Sequence, residues 1–188
     1  MVLNIIFAIF FSLFILYVNN KIKYKHDYPK LFIGISVALS VAISLKLTNQ
    51  PQGLIITGLF TVLINITLID FKCLEIPNTY NLIVFLFGVI NMLILKDFSM
   101  IITGIISFIL FFIIAIFSRG ALGGGDIKLA LGLGLFFKLS AYASFLMYTF
   151  GVGALIATVL LILKKKNRKD KIAFGPFMAL GAILAILM

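Results

Sequence analysis

Apolar runs close to 20 residues long recur throughout the chain, and no other feature restricts its fold so severely. A hydrocarbon core about 30 Å thick takes about 20 helical residues to cross. Lipid offers no partner to a backbone N–H or C=O, so a spanning segment must satisfy these groups as a helix or in a closed barrel. The alternating pattern of a barrel strand is absent. The apolar segments, near 2–18, 31–46, 53–69, 79–95, 100–117, 127–137, 140–163 and 172–188, therefore read as helices. The expected fold is all-α, a polytopic membrane helix bundle of about eight transmembrane helices, forming a single domain over residues 1–188. Composition agrees: 63% of the residues are hydrophobic and mean hydropathy is +1.23, more than a soluble domain of this size could shield from water. Residues 2–18 lack a basic n-region, and no small-residue cleavage site follows. They read as a retained span rather than a secretory signal.

The difficult stretch is 127–163. It must form a hairpin, and its first helix has only about 11 residues, or ~16 Å of rise. That predicts a short or tilted helix that begins partway into the bilayer.

The formal charge of +10 invites a nucleic-acid reading, but its placement follows topology instead. Alternate loops fall into two sets. Loops 19–30, 70–78, 118–128 and 164–171 hold thirteen of the 16 Lys and Arg residues, and the other set holds only Lys46, Lys96 and Lys138. The excess of Lys and Arg marks the cytoplasmic side. A multi-pass protein of the cell membrane follows, with both termini outside, the lipid bilayer as partner and no nucleic acid. The single cysteine, Cys73, and single histidine, His26, exclude an intramolecular disulfide and a cysteine- or histidine-rich metal site. No metal and no cofactor is expected.

Against this background two acids stand out among only six. Asp70 ends one apolar run. Asp126 follows Gly123, Gly124 and Gly125 and opens another. Both belong to the basic loop set, so the topology places them at one depth on the cytoplasmic face although 56 residues separate them. An Asp before an apolar run can be a helix N-cap. A cap does not require three glycines, whereas a substrate backbone lying against the turn does, because glycine permits close approach. Asp70 sits at a helix C-terminus, where the dipole disfavours a carboxylate, and ionisable groups at membrane depth mark function. Two close aspartates share a proton, so one can activate water while the other protonates a peptide carbonyl. Glu75 lies in the loop after Asp70, and Pro77 fits the first turn of the next helix. Gly175 and Pro176 stand at the start of the final span, at the depth of both acids. Gly104, Gly132, Gly134, Gly151 and Gly153 would let helices approach closely. A rival reading uses the same acidic pair to bind a cation, as in a transporter.

Asp70 with Ile76-Pro77-Asn78, then Gly123-Gly124-Gly125-Asp126-Ile127-Lys128, then Phe174-Gly175-Pro176-Phe177 with Ala179-Leu180-Gly181, resembles the type IV prepilin peptidases, aspartic membrane proteases of the GxGD class. The resemblance covers roughly residues 50–188. It implies an endopeptidase that removes the short basic leader from prepilins, pseudopilins or preflagellins at the cytoplasmic membrane face. Asp70 and Asp126 would be its catalytic pair. Gly123, Gly124, Gly125, Glu75, Lys128, Gly175 and Pro176 would contact the substrate, a prepilin-like protein with a basic leader and an apolar helix. Larger members carry a cysteine-containing domain after the first span that is associated with N-methylation. Residues 19–30 are too short for it and contain no cysteine, so no methyltransferase activity is expected.

Overall fold

The structure is a computed structural model, and it describes residues 52–118, 122–163 and 172–188 together with positions 6, 9–14, 38, 41 and 42. The expected helices at 2–18 and 31–46 lie largely outside the described residues, and the basic loops at 19–30 and 164–171 lie wholly outside them. Six helices are described in full: α1 (Gly53–Cys73), α2 (Asn78–Leu95), α3 (Ser99–Phe117), α4 (Gly124–Gly134), α5 (Leu139–Ile162) and α6 (Gly175–Leu187). No strand occurs among the described residues. Four of the six, α1, α2, α3 and α5, are long and apolar enough to cross a membrane. The 13 residues of α6 rise only ~20 Å.

Contacts divide the chain into two units, Met1–Asn65 and Ile66–Met188, with the division falling inside α1. In the first unit, α1 disposes of its polar side chains locally. Thr57 Oγ1 donates to the Gly53 carbonyl at 2.8 Å, Thr61 Oγ1 to Thr57 at 3.0 Å and Asn65 Nδ2 to Thr61 at 2.8 Å. Each buried polar group thus meets an acceptor one turn back, which avoids the cost of leaving it unpaired.

The second unit is organised around α4, the expected short helix. Its 11 residues rise only ~16 Å, too little to cross a bilayer. It packs against both α2 and α3. Glycine makes this possible. A Cβ at Gly132 would lie 3.0 Å from the Phe85 backbone nitrogen, and one at Gly134 would lie 2.7 Å from the Gly104 Cα. Ser107 Oγ on α3 then reaches the Ala130 carbonyl at 2.8 Å. The expected close approach holds at Gly104, Gly132, Gly134 and Gly153. At Gly151 a Cβ would meet nothing within 4 Å, so that glycine serves no such contact.

Short connections fix the rest. Lys96, at φ 51, ends α2 in the left-handed conformation. Asp97 accepts from the Ser99 N–H at 3.1 Å and pairs with Lys138 at 2.9 Å, tying the start of α3 to the residue that caps α5. Helices α5 and α6 pack closely, with Gly181 against Thr149. Phe174, the residue before α6, meets the rings of Phe111, Phe150 and Phe177 at centroid distances of 6.1, 5.8 and 5.9 Å. Aromatic pairs of this kind contribute about 0.5–1.5 kcal/mol each beyond their area. They hold the N-terminus of α6 in place.

Candidate functional site

Asp70, Leu74, Glu75, Ile76, Gly123, Gly124, Gly125 and Asp126 line one pocket of about 110 Å³. The two aspartates expected on one membrane face therefore share one cavity. Both are buried, Asp70 at 4% and Asp126 at 8% exposure.

Asp70 sits inside the last turn of α1 rather than beyond its end. The helix continues to Cys73, and the Leu74 N–H still donates to the Asp70 carbonyl at 2.9 Å. Leu74 then turns the chain at φ 53, a conformation that L-residues other than Gly adopt at a cost. The Asp70 carboxylate finds its partner 105 residues away, where Oδ2 accepts the Gly175 N–H at 2.8 Å. Gly175 is the first residue of α6 and Pro176 the second. The first N–H groups of a helix have no partner within it, and the positive end of the dipole favours an anion there. A Cβ at Gly175 would fall 2.8 Å from Asp70 Oδ2 and 3.2 Å from Ile76 Cδ1. The position therefore admits glycine and nothing larger without displacing the carboxylate. Pro176, without an N–H, adds no donor.

Asp126 is the third residue of α4 and not its cap; the cap is Gly123. The Asp126 Oδ2 accepts the Gly123 N–H at 2.9 Å, and its own N–H donates to the Gly123 carbonyl at 3.1 Å. This is the side-chain half of a capping box. The other oxygen, Oδ1, is buried and has no hydrogen-bond partner among the described residues. Asp126 lies outside the four long spans. Burial above all, with a further push from the Asp70 charge, raises its pKa to about 6 against the opposing pull of the Gly123 N–H.

The three glycines have different tasks. A Cβ on Gly125 would meet Ile76 Cβ at 3.0 Å and the Ile76 carbonyl at 3.2 Å, so the close approach there is to the chain's own loop. A Cβ on Gly124 would meet nothing within 4 Å, so this stretch of the pocket wall is open. Gly123 supplies the N–H that Asp126 accepts. Glu75 is exposed at the pocket, with no ion-pair partner among the described residues. Lys128 does not line the pocket. Its Nζ donates to Asn78 Oδ1 at 2.8 Å across the starts of α4 and α2. Pro77 precedes α2 as its cap, one residue earlier than expected, and its carbonyl accepts from the Tyr80 N–H at 3.0 Å.

Sequence reasoning passed over Asn81. Its Nδ2 donates to the Gly125 carbonyl at 3.2 Å, holding the glycine turn to α2. The signal was present, because a buried amide in an otherwise apolar span needs a partner. Among the described residues no group of His, Cys, Asp and Glu could hold a metal ion.

Residues 57–162 match the type IV leader peptidase family. The chain matches no curated protein and no solved structure.

Proposed function

The chain belongs to the type IV leader peptidase family, a family of proteases, and from that premise we propose that it is a membrane aspartic endopeptidase with Asp70 and Asp126 as its catalytic pair. One observation carries the reading. Two acids far apart in sequence face one 110 Å³ pocket, each anchored through Oδ2 to a backbone N–H, while Asp126 Oδ1 is buried and unpaired. An unsatisfied carboxylate oxygen costs stability unless a ligand or water occupies it. A pocket of this volume has room for that water.

The chemistry follows from crowding two acids. Both cannot ionise freely, so near neutrality the pair shares one proton. One carboxylate withdraws a proton from the water as it attacks the peptide carbon. The other gives its proton to the carbonyl oxygen and recovers it as the tetrahedral intermediate collapses, while the first passes the proton taken from water to the leaving amine. No covalent enzyme intermediate forms. The backbone anchors at Gly123 and Gly175 fix the orientation of each carboxylate before substrate arrives, which removes reorganisation from the barrier. The open wall at Gly124 admits the peptide, and exposed Glu75 attracts a cationic leader.

The substrate class is a prepilin-like protein with a short basic leader, as the family implies. The excess of Lys and Arg in the loop set of Asp70 and Asp126 puts cleavage on the cytoplasmic side of the cell membrane. The test is co-expression of a prepilin with Asp70→Asn or Asp126→Asn, each shown to be folded in the membrane. Loss of processing in both is expected. Complete processing by either variant would sink the assignment.

A further inference from the structure

A second concavity, a groove of about 350 Å³, opens beside the proteolytic pocket between α2 and α4, lined by Asn78, Asn81, Leu82, Phe85, Lys128 and Leu131. Its lining changes character along its length. Asn78 and Lys128 stand at the starts of two helices that begin side by side. Leu82, Phe85 and Leu131 lie one to two turns further along, and the seven residues from Asn78 to Phe85 rise ~10 Å. The groove thus runs from a cationic rim to an apolar floor, following the change from headgroup to acyl chain in a leaflet. Lys128 has no carboxylate partner among the described residues; the ion pair found there joins Lys138 to Asp97. Its contact with Asn78 leaves ammonium protons and the whole charge available.

We infer that this groove binds an anionic phospholipid, with the phosphate at Lys128 and Asn78 and an acyl chain along Leu82, Phe85 and Leu131. A peptide fits it poorly. An apolar helix laid along the floor would leave the charge at Lys128 unanswered. An extended strand would bring unpaired N–H and C=O groups against an apolar floor that cannot satisfy them. A lipid has its anionic and apolar parts in the order the groove requires. Charge-assisted hydrogen bonds set its preference for an anionic headgroup. Because Asn81 lines the same groove and holds the Gly125 carbonyl, a lipid seated there braces the seam that carries the glycine–aspartate turn.

The experiment uses the full chain purified from vesicles of phosphatidylcholine with an equal part of phosphatidylglycerol, with retained lipid counted by native mass spectrometry. Wild-type protein should retain phosphatidylglycerol over phosphatidylcholine by about tenfold, the worth of one charge-assisted contact. Lys128→Gln should abolish that preference and Lys128→Arg restore it. Lys138→Gln, which removes an equal charge elsewhere, should leave it intact. Asn78→Ala provides a second perturbation of the rim and should weaken retention. Equal retention of the two lipids by the wild type, or an unchanged preference in Lys128→Gln, overturns the inference. So does loss of the preference in Lys138→Gln, which would show a diffuse response to net charge. Displacement of the bound lipid by inorganic phosphate alone would show an anion site without a lipid's tail, and would also overturn it.

Discussion

Gly175→Ala adds one methyl group at the most constrained point of the pocket. The new carbon would lie 2.8 Å from Asp70 Oδ2, closer than real Cβ contacts come, and 3.2 Å from Ile76 Cδ1. Ile76 is buried and cannot retreat freely. The carboxylate must therefore move, and with it goes the bond from the Gly175 N–H. A hydrogen bond to a charged group is worth about 1.5–3 kcal/mol. If that bond orients Asp70 in the transition state, kcat should fall about ten- to a hundredfold. Stability responds differently. Alanine in the first turn of a helix gains up to ~1 kcal/mol over glycine, and overpacking costs about 1–3 kcal/mol. The lost bond costs a further about 1.5–3 kcal/mol, so the net cost of about 2–5 kcal/mol lowers Tm by roughly 5–15 °C in a chain of this size, and kcat is read below that Tm. The assay is prepilin cleavage by purified protein, with Tm measured on the same sample. Gly151→Ala is the control, since its Cβ meets nothing within 4 Å and should leave kcat unchanged. Wild-type kcat in folded Gly175→Ala would refute the claim that the start of α6 positions Asp70.

Two further outcomes follow from the same geometry. Asp126 has a folded-state pKa of about 6 against an ordinary value of 3.8, so the native state holds its proton more tightly than the unfolded chain. Its contribution is most favourable below pH 4, declines as pH rises from about 4 to 6, and above that costs about 3 kcal/mol. Asp126→Asn cannot ionise, so its stability relative to wild type should rise over that window; parallel pH profiles in thermal unfolding would contradict this. Leu74 holds φ 53 at half exposure, and Leu74→Gly should relieve about 1 kcal/mol and raise Tm by about 2–4 °C. An unchanged or lower Tm would show that the turn carries no strain.

The helices of the second unit were legible because membrane insertion leaves few choices. Length and hydropathy fixed α2, α3 and α5 nearly to the residue, and the short α4 was visible as an apolar run too brief to span. The shared pocket of Asp70 and Asp126 agrees with their place in one loop set. What escaped were features with no local pattern. The apolar pattern ends α1 too early, because helix stops are read from glycine or asparagine and here a leucine takes the left-handed position. The bond from Gly175 to Asp70 joins residues 105 apart, and nothing in Phe174-Gly175-Pro176 announces its acceptor. Asn81 was readable in principle, yet a single amide in a span gives no hint of which carbonyl it will reach. The motif puts Lys128 near the substrate, and in the folded chain it lines the groove between α2 and α4 rather than the aspartate pocket.

The hydrogen bond between Asp70 and Gly175 also has a consequence for biogenesis. A ribosome that has made Asp70 must add 105 more residues before the donor for its carboxylate exists. For the last part of that interval the nascent chain already holds Asp126 and the glycine turn, but Asp70 still lacks its anchor. On the proposed mechanism, a protease assembled in this order works slowly at most until the anchor arrives. Asp70 gains that bond only when α6 docks beside α5, so the orientation of an early acid waits on the insertion of a late helix.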